Sequence, residues 1–217
     1  GGQADVATFD ITDSAALQGW IRGAAEQTGR LDVLVNNAGF GDMGNVIDGD
    51  PTMWKAMLDV NVLALAVGCQ AAVEAMRATS SDGNIVNISS TAAIRRDSGV
   101  YGATKHAVNC INSSMRQELE DDTIRVTSIM PGAFATNFAR HMDRATIEGF
   151  AEMLGITDLD IGDDGKLPQE QIDRFQAAMS TAYGNAEHVA AAVEYVVTQP
   201  IELNIEELVI RPQKSLF

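Results

Sequence analysis

The chain has 217 residues, enough for one domain with a sizeable core, and its 46% hydrophobic and 21% charged residues match an ordinary globular composition. A formal net charge of −15 argues against nucleic acid and anionic membrane as partners, because both reward clustered Lys and Arg. The two cysteines, Cys69 and Cys110, fall in stretches that read as helix, and two buried thiols in a reducing cytoplasm are expected rather than a disulfide or a zinc site. No apolar run reaches membrane-spanning length.

Ala4–Phe9 reads as a short strand, and 13–27 as a helix through Leu17, Trp20, Ile21 and Ala24 or Ala25, with Gly29 as its stop. Leu31–Val35 is mostly apolar, as a strand covered on both faces of a parallel sheet should be. Asp50-Pro51 opens a long helix, Asp as cap and Pro at the first position, running towards Met76. Asn84–Ile88 is a strand, Tyr101–Leu119 a helix, and Ile124–Ile129 a strand closed by Pro131-Gly132. Residues 137–184 are acidic and irregular, with helical stretches at Thr146–Met153 and Gln169–Met179, and read as an insertion over one edge of the sheet. Ala186–Val197 is the last helix and Glu207–Ile210 the last strand. Strands and helices alternating at this spacing predict one α/β domain over 1–217, with a doubly wound parallel sheet. Ligands in such folds bind at the carboxyl ends of the strands.

Tyr101-Gly-Ala-Thr-Lys105 puts a phenol and an ammonium on one helix face. A free tyrosine ionises near pH 10, and an ammonium a few ångströms away favours the phenolate, which suits a proton donor for an alkoxide. Alone, this is an ordinary helix-surface pair. It is joined by Val35-Asn36-Asn37-Ala38-Gly39 after one strand and Asn87-Ile88-Ser89-Ser90 at the end of another. Asn61 sits as an amide in an apolar helix, and Pro131-Gly132-Ala-Phe-Ala-Thr136 closes a third strand. One fold can gather all of them at a single sheet edge.

In this order the motifs resemble those of the short-chain dehydrogenase/reductase family, over nearly the whole chain from about Asp10. The resemblance implies a Rossmann-like fold and hydride transfer between NAD(P) and a small alcohol or carbonyl substrate. It makes Tyr101 the acid–base group and gives Lys105 the nicotinamide ribose and the tuning of the tyrosine. Ser90 would hydrogen-bond the substrate carbonyl, and Asn61 would support a water-linked relay to Lys105. Asn37, Ala38 and Gly39 would line the adenosine side, Asp10 and Ile11 would contact the adenine, and Pro131, Gly132 and Thr136 would hold the nicotinamide amide. The family's pairing of its long helices between subunits implies a homodimer or homotetramer. NADP is favoured over NAD, because Asn204–Pro212 resembles the ending of NADP-dependent members. Met142, Phe150, Met153 and Leu154 fall in the segment that often covers the substrate.

Two departures stand out. The family's serine commonly lies thirteen residues before its tyrosine, whereas Ser90 lies eleven before Tyr101. The glycine loop T-G-x-x-x-G-x-G, with the first two strand–helix units, does not occur in these residues, so an N-terminally truncated chain that binds cofactor poorly is expected. Gly39-Phe-Gly41-Asp-Met-Gly44 satisfies G-x-G-x-x-G, but the next helix cap is Asp50, so these glycines do not open a helix onto a pyrophosphate. The acidic stretch from Asp160 resembles a calcium loop but has Gly162 at its third position and Gln171 at its twelfth, where a bidentate Glu is needed, so no metal is expected. The competing readings are a non-catalytic or truncated member that acts as a binding protein, and a relative doing epimerase or dehydratase chemistry. The intact Asn61, Ser90, Tyr101 and Lys105 speak against the first, and the short chain after Lys105 against the second.

Overall fold

A computed structural model of the chain describes residues 2–42, 44–134, 136, 144–153, 155–156, 158, 160, 162 and 167–213. Helix α1 (Ser14–Thr28) starts where the Asp13 carboxylate accepts the amides of Ala15 and Ala16, and strand β1 (Val33–Asn36) follows. Helix α2 (Pro51–Leu58) starts at Asp50, whose carboxylate accepts the Thr52 amide at 2.8 Å, with Pro51 in the first turn. A six-residue π turn, Asp59–Ala64, joins it without a break to α3 (Leu65–Thr79). Then come β2 (Gly83–Ile88), a 3-10 turn (Thr91–Ile94), α4 (Gly99–Glu118) and β3 (Ile124–Pro131). Helices α5 (Arg144–Met153), α6 (Gln169–Tyr183) and α7 (Ala186–Val197) precede the last strand, β4 (Glu207–Ile210).

The four strands are parallel and lie in the order β1-β2-β3-β4. Consecutive residues of β2 show why its sequence is apolar throughout. Ile85 packs with Leu65, Cys69, Met76 and Val108 from α3 and α4, while Val86 packs with Ala192 and Val196 from α7. Side chains alternate across a strand, so a sheet covered on both faces needs apolar residues at both parities. The α/β reading is thus confirmed.

The segment Ala4–Phe9 does not form the expected strand. No strand pairs with it among the described residues; Val6 lies exposed, and Phe9 meets Trp20 of α1 with ring centroids 6.4 Å apart. A strand has no free energy to gain without a neighbour to take its backbone hydrogen bonds. For the same reason β1 is an edge strand, with Val33 and Val35 open to solvent. Cys69 is buried as expected, but Cys110 is exposed, because it faces outward from α4. The reading of apolar runs also needs correcting. Taken as one continuous helix, Pro51–Thr79 is long and apolar enough to cross a membrane, although the stretch includes the core residues Leu65, Cys69 and Met76.

In the region after β3, Ile147, Leu167 and Ile172 form a small core of their own. Met142, Leu154 and most of the acidic turn after Asp160 lie outside the described residues, as do the side chains of Phe150 and Met153.

Candidate active site

Parallel strands in register bring their carboxyl ends to one edge. Asn36 of β1 pairs with Asn87 of β2, Asn87 with Ser128 of β3, and Pro131 of β3 with Ile210 of β4. Asn37–Gly39, Ser89-Ser90 and Gly132 onward therefore leave the sheet on the same side. The ladder runs one step further, through Ser89 N to Ile129 O at 2.7 Å and Gly132 N to Ile210 O at 2.8 Å.

Helix α4 carries Tyr101 and Lys105 over that edge. Ser90 caps the 3-10 turn by accepting the Ala92 amide at 3.1 Å, and this turn takes up the shortened connection. Gly99, at φ +56°, then starts α4 in the left-handed region, which a side chain would disfavour. The outcome is that the Ser90 side chain comes within hydrogen-bonding reach of Tyr101 despite the shorter spacing. Lys105 Nζ lies 5.9 Å from the centre of the Tyr101 ring and donates to Ile88 O at 2.9 Å.

Both groups are buried, Tyr101 to 6% and Lys105 to 6% exposure, and this decides their electrostatics. Burial pushes the Tyr101 phenol above its ordinary 10, and the hydrogen bond with Ser90 pulls it back down. The Lys105 ammonium is pushed down from 10.5 to about 8, also by burial. The expected lowering of the phenol by Lys105 is therefore not the dominant effect here. Loss of water outweighs it, and Ser90 is the group that favours the phenolate.

Asn61 is buried in the π turn, and its amide is fully committed. Its Oδ1 accepts from Phe40 N at 3.1 Å, while Nδ2 donates to Phe40 O at 2.8 Å and to Thr104 Oγ1 at 3.1 Å. An extra residue in a helical turn of this kind is frequent at functional sites. A Cβ on Gly39 would come within 3.1 Å of Asn61 Oδ1 and 3.6 Å of Lys105 Nζ, so the loop after β1 passes over the lysine closely enough to need glycine.

Behind the edge lies a row of amides, half-buried at Asn36 and buried at Asn87 and Asn112. Asn36 Nδ2 donates to Asn87 Oδ1 at 2.8 Å, and Asn87 Nδ2 donates to Asn112 Oδ1 of α4 at 2.6 Å. Cys69 Sγ sits against both Asn36 and Asn87, and burial raises its thiol to about 11.

The remaining predicted residues divide. Asn37, Ala38 and Gly39 are exposed along the edge beside Lys105, and Pro131, Gly132 and Thr136 leave β3 at the same edge. The described hydrogen bonds of Asp10 are local, to the amide and hydroxyl of Thr12 and from Asp13 N, and Ile11 stays with it in the turn before α1. The glycines at 39, 41 and 44 open no helix, since α2 begins only at Pro51. His106 points away from the site, with Nε2 2.8 Å from Arg95 O. Sequence reading missed Thr104, a spacer between Tyr101 and Lys105, and the carbonyl of Ile88, which no side-chain pattern reveals.

The donor set suits the ribose end of a nicotinamide cofactor. Among the described residues Ile88 O is the hydrogen-bond acceptor of Lys105, which leaves two of its three N–H groups for a diol beside the bare backbone of Gly39.

A family model described as short chain dehydrogenase matches residues 1–146. An uncharacterized oxidoreductase of Staphylococcus saprophyticus is 31% identical over 213 residues, covering 95% of this chain and 75% of that protein. The Bos taurus dehydrogenase/reductase SDR family member 11 is 28% identical over 214 residues, covering 95% and 74%. Among solved structures, the closed form of serine dehydrogenase complexed with NADP+ superposes with a TM-score of 0.76 at 28% identity, covering 97% of this chain and 77% of that one. A metagenomic short-chain oxidoreductase in complex with NADP gives 0.69 at 26% identity, covering 99% and 76%. The chain belongs to the short-chain dehydrogenase family.

Proposed function

We propose that the protein is an NAD(P)-dependent oxidoreductase that interconverts an alcohol and a carbonyl group on a small molecule, with Tyr101, Lys105, Ser90 and Asn61 as its acid–base centre. The observation that carries this reading is the buried Tyr101 side chain, with Ser90 near enough to favour its phenolate and the Lys105 ammonium flanking it at the carboxyl edge of the sheet. A tyrosine that only filled space would not need a buried cation beside it, since burying that cation is unfavourable.

When bound, the nicotinamide cofactor supplies the hydride for reduction and takes it up in oxidation. Tyr101 Oη gives its proton to the substrate oxygen in reduction and removes it in oxidation. Its raised proton affinity keeps it a phenol at neutral pH, ready as the acid. Ser90 holds the substrate oxygen next to Oη and favours the phenolate as it forms. Lys105 is fixed through Ile88 O and keeps two donors for the ribose hydroxyls. The side chain of Asn61 has no hydrogen left to give, so in a proton relay it serves as an acceptor and not as a donor.

Asn37, Ala38 and Gly39 serve the adenosine side, Pro131, Gly132 and Thr136 the nicotinamide amide, and Asp10 and Ile11 the adenine. NADP is preferred over NAD, supported by the NADP in the two structural neighbours and by the ending Asn204–Pro212. Of the segment 137–184, helices α5 and α6 serve as the cover of the substrate. Leu58 and Leu63 remain exposed on the long helix and suit a homodimer or homotetramer, and the two free cysteines suit the cytoplasm.

The test is nicotinamide-coupled turnover by the full-length gene product, with NADPH and NADH against a panel of ketones and aldehydes, and the oxidised cofactors against the matching alcohols. Turnover with NADPH exceeding that with NADH is expected. A folded protein that neither binds nor turns over either cofactor would overturn the assignment.

A further inference from the structure

Thr104 stands between the two residues that carry the chemistry and is itself completely buried. Its hydroxyl donates to Tyr101 O at 2.7 Å, which leaves its oxygen free to accept, and it accepts the Asn61 amide at 3.1 Å. Asn61 is in turn held to Phe40 by two hydrogen bonds, one in each direction. The chain Phe40–Asn61–Thr104–Tyr101 therefore crosses three elements: the loop after β1, the π turn and the first turn of α4. Gly39, next to Phe40, lies close against Lys105, so the same chain also sets the height of that loop above the ammonium.

We propose that Thr104 is a positioning residue: its hydroxyl keys the Asn61 amide to the Tyr101 turn of α4, so that loop, π turn and Tyr101–Lys105 keep one mutual geometry. The inference rests on Tyr101 and Lys105 being the acid–base pair. A β-branched residue of this size fills the space without needing the hydroxyl, since valine has the same shape. What valine lacks is the acceptor for Asn61 Nδ2. Removing it leaves a buried amide hydrogen without a partner, and the amide relieves this by turning. Small displacements matter because proton transfer depends steeply on the separation of the reacting atoms, and a misplacement of about 1 Å costs roughly a hundredfold in rate.

The test compares Thr104→Val, Thr104→Ala and Thr104→Ser in the full-length protein, by steady-state kinetics, pH–rate profile and thermal melting, with Tyr101→Phe as a control. Thr104→Val and Thr104→Ala should lower kcat about ten- to a hundredfold with KM for cofactor within about twofold, and Thr104→Ser should restore kcat to near the wild-type value. The pH at which the rate changes should move by about half a unit or more in Thr104→Val, since the environment of the Tyr101 turn changes. Loose packing alone would reduce the amount of active enzyme and leave that pH in place. The proposal is overturned by a folded Thr104→Val enzyme with wild-type kcat and pH profile, or by a Ser variant as impaired as the Val variant. It is also overturned if the Val and Ala variants fail to fold while the Ser variant is active, which would assign the hydroxyl to stability. Full activity in Tyr101→Phe would instead overturn the acid–base assignment on which it rests.

Discussion

Lys105→Met should make the cofactor-free protein more stable at neutral pH while removing its activity. Burial holds the folded-state ammonium at about 8 against an ordinary 10.5. At about 1.36 kcal/mol per pH unit, keeping it charged in the fold costs about 3 kcal/mol at pH 7. Methionine has a similar length and no charge, so the penalty disappears, and the lost bond to Ile88 O returns about 2 kcal/mol of it. A net gain of about 1 kcal/mol remains. The pH dependence is the sharper signature. Below about 8 the lysine is charged in both the folded and unfolded states, and the full penalty stands. Between there and 10.5 the unfolded chain binds the proton and the folded one does not, so the wild type gains stability as the pH rises. Equilibrium urea unfolding of both proteins from pH 7 to pH 10 should show the wild type gaining about 2–3 kcal/mol on the variant. A variant less stable than wild type at pH 7, by a margin that stays constant up to pH 10, would refute the reasoning.

Two further changes probe the neighbouring contacts. Ser90→Ala removes the hydroxyl that draws the Tyr101 phenol downward, so the ascending limb of the oxidation rate, where the phenol ionises, should shift to higher pH and kcat fall about a hundredfold, as read from a pH–rate profile. Asn87→Leu cuts the amide row in its middle, leaving Asn36 Nδ2 without its amide acceptor and Asn112 Oδ1 without its donor, and should cost about 2–4 kcal/mol in urea unfolding. A loss below about 0.5 kcal/mol would show that the row adds little to stability.

Most elements were legible because their signals are local. Asp13 and Asp50 announce helix starts through the amides that they cap, and the apolar doublet Ile85-Val86 announces a strand covered on both sides. The Ala4–Phe9 strand was misread for a physical reason: its residues carry the propensity, but strand formation is decided by a neighbour, and none is present among the described residues. The candidate site was legible as a set of motifs and not as a set of contacts. Tyr101, Lys105, Ser90 and Asn61 could be named from the sequence, yet the reversal in what governs the phenol could not, because burial is a property of the assembled fold. Thr104 and the Ile88 carbonyl were invisible for related reasons. One reads as a spacer inside a motif, and the other is backbone common to every residue.

The most direct measurement of the central claim is turnover by Tyr101→Phe in the full-length protein, set against its cofactor binding followed by fluorescence. Phenylalanine keeps the buried ring beside Lys105 and removes only the hydroxyl that exchanges the proton. The acid–base role predicts binding within about threefold of wild type and kcat lower by about 10³-fold or more. A variant that binds cofactor and still turns over at the wild-type rate would contradict it.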